Sequence, residues 1–165
     1  MHLGSSPALI GFIMRPTTVD VERHTYSNIM ELQEYTINAI ALQNIAQAHY
    51  TSAKIAKEIS EFDVCNFTED YIKGFKAPFV KGSPIQLGMK FIEELPIKTN
   101  GTTLIVGEVK HIVFSKDLCC DEYKLNLEKL QLAGVSGLNT YYSLKKEAVF
   151  PYARPTEIPD FLVLK

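Results

Sequence analysis

Ser5-Ser6-Pro7-Ala8-Leu9-Ile10-Gly11-Phe12-Ile13-Met14-Arg15-Pro16-Thr17-Thr18 is the stretch on which the reading of this sequence turns. Ala8 to Met14 is an unbroken apolar run of strand length, and Ser5, Ser6 and Pro7 are the turn residues that bound such a run. It reads as a strand buried on both faces. Arg15-Pro16 ends it, because proline has no N–H for a further ladder bond, and the hydroxyls of Thr17 and Thr18 follow. A helix is then expected to begin near Arg23, His24 and Thr25, with Tyr26, Ile29, Met30 and Gln33 along its inner side.

A guanidinium, several hydroxyls and the N–H groups of a helix N-terminus suit a phosphate, which presents acceptor oxygens and negative charge. The same residues admit a plainer reading, in which Arg15 is solvated at a strand end and Thr25 caps the helix.

Outward from this stretch, the totals set bounds. A chain of 165 residues is about one domain long, taken here as 1–165, and can bury roughly 70% of its unfolded surface without a disulfide or metal staple. Hydrophobic residues at 46% and charged residues at 22% are ordinary for a globular protein. A net charge of −2 gives no reason to expect nucleic acid, and no basic block suggests a membrane surface. Cys65, Cys119 and Cys120 form no Cys-x-x-Cys pair and have no histidine at a metal-ligand spacing, so they read as reduced thiols of a cytoplasmic protein without a metal site. The sequons at Asn66 and Asn100 would matter only after secretion, and the run ending at Arg15 lacks the flanks of a signal peptide. A chain that opens on a turn and a buried strand is expected to have lost whatever normally pairs with that strand's neighbours, or to take the pairing from another subunit.

Further along, Glu34 to Ala41 reads as a second strand, and Leu42 to about Lys57 turns helical through Leu42, Ile45, Ala46, His49, Ala53 and Ile55. His49 fits a helix surface better than a ligand. Lys81-Gly82-Ser83-Pro84 introduces a strand from Ile85 to about Leu95, with Ile85, Leu87, Met89 and Phe91 in one row. Ser83 is either a polar group at a site or a turn residue, the turn being somewhat favoured. Asn100-Gly101 tolerates positive φ at both central positions of a tight turn, which predicts a hairpin with Thr103 to Phe114. Alternation puts Ile105, Val109, His111 and Val113 on one face of that arm and Leu104, Val106 and Ile112 on the other. Glu108 stands alone and reads as structural. Asn126 to Leu132 is expected as a short helix, with two glycines, Gly134 and Gly137, before Tyr141 and Tyr142. Pro151, Pro155 and Pro159 with Phe161 and Leu162 suit an extended arm lying across a neighbour. No Ser/His/Asp arrangement and no phosphate-cradling Gly-x-x-x-x-Gly-Lys loop is present.

Taken together, Pro7 to Pro16, Arg23-His24-Thr25-Tyr26-Ser27-Asn28-Ile29 and Gly107-Glu108-Val109 resemble the flavin reductase-like family. The resemblance implies an antiparallel split β-barrel of the FMN-binding type flanked by short helices, an α+β fold in which β dominates. It implies a homodimer with FMN near the interface and an NAD(P)H:flavin oxidoreductase activity that needs no catalytic side chain. By motif match, Arg15, Thr17, Thr18, His24 and Thr25 would hold the phosphate and ribityl end. Ser5 would lie nearer the ring, with Asn28 and Ser83 beside the cofactor. His111 would stand near the nicotinamide, or be a strand histidine of no function; Tyr141 would flank the flavin, with Tyr142 in the core. Members of the family usually carry an upstream segment that helps to close the barrel, and this sequence lacks it. Two other roles stay open on this reading: an FMN-binding electron carrier, and a shortened barrel acting only as a dimeric interaction module.

Overall fold

A computed structural model describes residues 1–16, 23–115 and 125–157. The central element is an antiparallel sheet of five strands, β1 (His2–Ser5), β2 (Ala8–Met14), β3 (Glu34–Asn38), β6 (Ile85–Ile97) and β7 (Thr102–Phe114), in the order β1-β2-β7-β6-β3. Two short pairs lie beside it: β4 (Glu69–Asp70) with β5 (Phe79–Val80), and β8 (Ala133–Ser136) with β9 (Thr140–Ser143). The helices are α1 (His24–Leu32), α2 (Ile45–Tyr50) and α3 (Glu61–Val64), with a 3₁₀ turn at Leu42–Asn44 leading into α2.

The apolar run behaves as a strand because it pairs on both edges. β2 runs against β7 from Leu9 opposite Glu108 to Met14 opposite Thr103. Its other edge is taken by β1, with His2 opposite Ile10 and Ser5 opposite Ala8, and the Met1 amino group donates to the Gly11 carbonyl at 2.7 Å. The expectation that this pairing is lost or taken from another subunit is therefore corrected. Burial on both faces is corrected too: within β2 only Gly11 is buried, and Ile13 keeps 46% of its surface, because no described element covers that end of the strand.

One face of the sheet is covered by α1. Its Ile29 packs on Tyr35 and Met89, with Phe12, Leu87, Phe91 and Val109 around them. Met89 is fully buried, and burying such a side chain contributes about 1.5–3 kcal/mol. The helix stops at Gln33, which takes the left-handed conformation and donates its N–H to Ile29 O at 2.8 Å.

Two register shifts in the β6–β7 hairpin redistribute the faces. One leaves Lys110 as the extra residue between Val109 and His111, so alternation breaks there. Val109 stays in the core under α1, whereas His111 lies on the Gly88 side of the sheet against Phe75, with ring centroids 5.3 Å apart. The expected row of Ile105, Val109, His111 and Val113 is thus split. The turn at 98–101 is longer than the two-residue form: only Gly101 has positive φ, +70°, while Asn100 accepts from the Thr102 N–H through its side-chain oxygen.

Other elements are shorter than the periodicity suggested. α2 ends at Tyr50, where the hydroxyls of Thr51 and Ser52 donate to Ala48 O and His49 O and so compete with the helical ladder. Asn126 to Leu132 is a turn and not a helix; the Asn126 side chain accepts from the N–H groups of Glu128 and Lys129, and Gln131 closes it at φ 48°. Tyr142 is 55% exposed, so it is not a core residue. Pro151 and Pro155 lie in exposed extended chain, and Pro159, Phe161 and Leu162 fall outside the described residues.

Candidate functional site

Two adjoining clefts open beside α1. The first, of about 510 Å³, is walled by Ile29, Tyr35, Ile40, Phe62, Phe67 and Pro78 among others, with Asn28, Thr36, Asn38 and Ser83 as polar points. The second, of about 630 Å³, lies at the N-terminus of α1 and is lined by Arg15, Arg23, His24, Lys54 and Lys57. Thr25, Thr51 and Glu61 line both, so the two form one continuous groove with an apolar end and a basic end.

The basic end has the properties of an anion site. Arg23 occupies the N-cap position but gives the first turn no side-chain bond, and no acidic residue stands in that turn. The positive end of the helix is therefore left uncompensated by its own side chains. Among the described residues the buried Arg23 Nε has no hydrogen-bond partner, an arrangement that is costly unless something else accepts from it.

The polar points of the apolar end are largely engaged with the chain. Thr36 donates to Pro78 O at 2.7 Å, Asn38 donates to Thr36 and accepts from the Val80 N–H, and Ser83 donates to Ala39 O at 2.7 Å. Ser83 thus lines the groove while acting as a turn residue. Tyr35 differs. Its hydroxyl is buried and has no partner among the described residues, and burial pushes its pKa up to about 12. Tyr26, which lines neither cleft, has its pKa raised chiefly because its hydroxyl is hydrogen-bonded to Glu94.

Among the residues singled out by sequence, Arg15, His24 and Thr25 come together at the basic end, and Thr25, Asn28 and Ser83 along the apolar end. Ser5 is exposed on β1, 3.4 Å from the ring of His2, and lines neither cleft. His111 is on the other face of the sheet. Tyr141 lies outside both clefts, its hydroxyl 3.2 Å from His49 Nδ1, although Leu138 at the tip of the same hairpin reaches the basic end. Thr17 and Thr18 lie outside the described residues. Sequence reading missed Arg23, Lys54 and Lys57. Extending α2 to Lys57 hid the two lysines on an imagined helix; the Thr51-Ser52 pair that ends it was the available signal. Among the described residues, no group of three or more His, Cys, Asp or Glu could hold a metal, and no helix is long and apolar enough to cross a membrane.

The sequence profile of the flavin reductase-like domain matches residues 1–122. The chain belongs to the flavin reductase-like family. Comparison with curated proteins gave no match. Among solved structures, a split-barrel protein classed with the flavin reductases, from Shewanella frigidimarina NCIMB 400, shares 37% identity at a TM-score of 0.86. The match covers 93% of this chain and 75% of that one. Component B of nitrilotriacetate monooxygenase from Bacillus cereus superposes with a TM-score of 0.80 at 17% identity, over 91% of this chain and 75% of that one. Flavoredoxin of Desulfovibrio vulgaris Miyazaki F gives 0.78 at 18% identity, over 93% and 79%. The antiparallel sheet with its short helices is therefore that of the split-barrel flavin reductases, and family membership makes a flavin the expected cofactor class.

Proposed function

We infer that this flavin reductase-like chain binds FMN in the continuous groove and works as an NAD(P)H:flavin oxidoreductase. The observation that carries the reading is the junction at Thr25 of an apolar cleft with a basic one at a helix N-terminus. FMN has the matching polarity, a flat ring at one end and a phosphate at the other. Arg15, Arg23, His24 and Thr25 would hold the phosphate, with the N–H groups of the first turn of α1. Asn28 would stand along the ribityl chain. Ile29, Tyr35 and Phe62 would shield the ring end from water, and a phosphate accepting from Arg23 Nε would relieve its unmet bond. When bound, the flavin supplies the redox chemistry, taking a hydride from a reduced nicotinamide and passing electrons to an acceptor. The chain's own part is positioning.

Dimerisation around the groove belongs to this reading. Ile112, Phe114, Phe150 and Tyr152 leave much apolar surface exposed on the sheet end and the extended arm, which favours a second copy against them. A cytoplasmic setting suits the buried free thiol of Cys65. The test is the visible spectrum of protein mixed with FMN and freed of excess, followed by NADH or NADPH without oxygen. Retained flavin that bleaches supports the reading. Retention without bleaching by either nucleotide turns the protein into a carrier, and loss of the flavin overturns the binding assignment.

A further inference from the structure

Among the described residues that line the basic cleft, cations outnumber carboxylates and stand on more than one side of it. Among the described residues, four permanent cations line it, Arg15, Arg23, Lys54 and Lys57, against the single carboxylate of Glu61. A phosphate monoester brings about two negative charges at neutral pH, and the helix N-terminus already contributes roughly half a positive charge toward it. The cations also stand on two banks. Arg15 and Arg23 flank the end of β2 and the start of α1; Lys54 and Lys57 stand on the loop that follows α2. Ile55 on that loop and Leu138, 76% exposed at the hairpin tip, give the cleft an apolar lip.

We propose that the loop bank, Lys54 foremost with Lys57, receives a second phosphate, that of an adenine dinucleotide, facing the flavin phosphate on the helix bank. This rests on the proposed flavin site. Lysine suits the task because its ammonium is a point charge on a flexible stem, able to meet a phosphate from a loop without the fixed fork of arginine. The second phosphate has two sources, the diphosphate of FAD or a phosphate of the nicotinamide nucleotide, and the chemistry at Lys54 is the same for both.

The experiment compares wild type, Lys54→Ala and Lys54→Ala/Lys57→Ala for the Kd of FMN and FAD by flavin fluorescence, and for the KM of NADH and NADPH. Lys54 is exposed, so its removal leaves the fold intact. The expected result is a loss of about tenfold for one dinucleotide in the double variant, with FMN affinity held within about threefold. A loss confined to FAD names the flavin as the source; a loss in the nicotinamide KM names the reductant, and a loss for NADPH alone names its 2′-phosphate. FAD, NADH and NADPH all held within about threefold overturn the proposal, as does an equal loss for FMN. Should wild type retain no flavin, the flavin reading fails separately, and calorimetric titration with 2′,5′-ADP against 5′-AMP decides the loop bank. Tighter binding of 2′,5′-ADP that depends on Lys54 sustains it; equal binding of the two, or no dependence on Lys54, overturns it.

Discussion

The two ends of the groove share Thr25, Thr51 and Glu61, yet they are built in opposite ways. The apolar end is cut into packed structure: Ile29 and Tyr35 belong to the core cluster with Met89, and the polar groups along it are tied to the backbone of neighbouring segments. The basic end is a meeting of chain ends and loop, where Arg15, Thr51, Ser52, Lys54 and Lys57 are all exposed. One end is a consequence of the fold, and the other is an addition to it. Substitutions at the apolar end should therefore move stability, while those at the basic end should move ligand affinity and leave stability alone.

The hardest test of that contrast is Met89→Ala. Met89 has no exposed surface and touches the back of the apolar wall, so truncation leaves a cavity between α1 and the sheet. A loss of about 2–5 kcal/mol is expected, read as a fall in the urea midpoint with an unchanged slope. A loss below about 1 kcal/mol would mean that the wall is not part of the cooperative core.

Gly107→Ala comes next. A Cβ at 107 would fall on the Tyr35 hydroxyl oxygen and 2.9 Å from its ring carbon Cζ, and the ring is packed edge-on against Phe12 with centroids 5.7 Å apart. Overpacking of this kind costs about 1–3 kcal/mol. Tyr35→Phe alone should be neutral or slightly stabilising, because the hydroxyl it removes is buried without a partner among the described residues. In the double variant the Gly107→Ala penalty should shrink, since the oxygen in the way is gone; equal penalties in both backgrounds would sink the proposed clash. The same phenol sets a pH dependence. Its folded pKa of about 12 exceeds the ordinary 10, so the unfolded chain loses the proton first and stability falls as pH rises from 10 towards 12. Urea midpoints measured across that window should fall less in Tyr35→Phe than in wild type.

How much of this was legible beforehand follows the same division. The strand at Ala8–Met14, the hairpin around Gly101 and the helix start at His24 are written in local apolar spacing and turn chemistry, and through them Arg15, His24 and Thr25 line one cleft. What failed was long-range. The break at Lys110 that carries His111 to the other face depends on pairing with β6, and no feature of β7 alone announces it. Burial of β2 was overestimated because an apolar run says nothing about what covers it. The lysine bank was lost through a helix end misplaced by several residues, where two hydroxyls outweighed apolar spacing.

A smaller effect is expected at the hairpin of β8 and β9, which borders the basic end through Leu138. It is joined to the body by backbone bonds, Leu42 N–H to Gln131 O and Ala133 N–H to Ile40 O, and by the contact of Tyr141 with His49. Tyr141→Phe removes one half-buried hydrogen bond and should cost about 0.5–1.5 kcal/mol at most. Amide exchange should quicken in β8 and β9 while β6 and β7 keep their protection; uniform quickening would show that the hairpin is no separate unit.

Arg15→Ala should have the least effect on stability and so sharpens the contrast most. Arg15 is exposed at the end of β2, beyond the last paired residue, Met14, so its removal leaves no cavity and breaks no ladder bond. The urea midpoint of flavin-free protein should correspond to wild type within about 0.5 kcal/mol. FMN affinity should nevertheless fall by about tenfold or more, because a charge-assisted bond to phosphate contributes roughly 1.5–3 kcal/mol. Riboflavin, which has the ring and ribityl chain but no phosphate, should bind wild type and Arg15→Ala alike. A parallel loss for riboflavin would place Arg15 against the ring end, and a stability loss like that of Met89→Ala would erase the distinction between a cleft made by the core and one laid upon it.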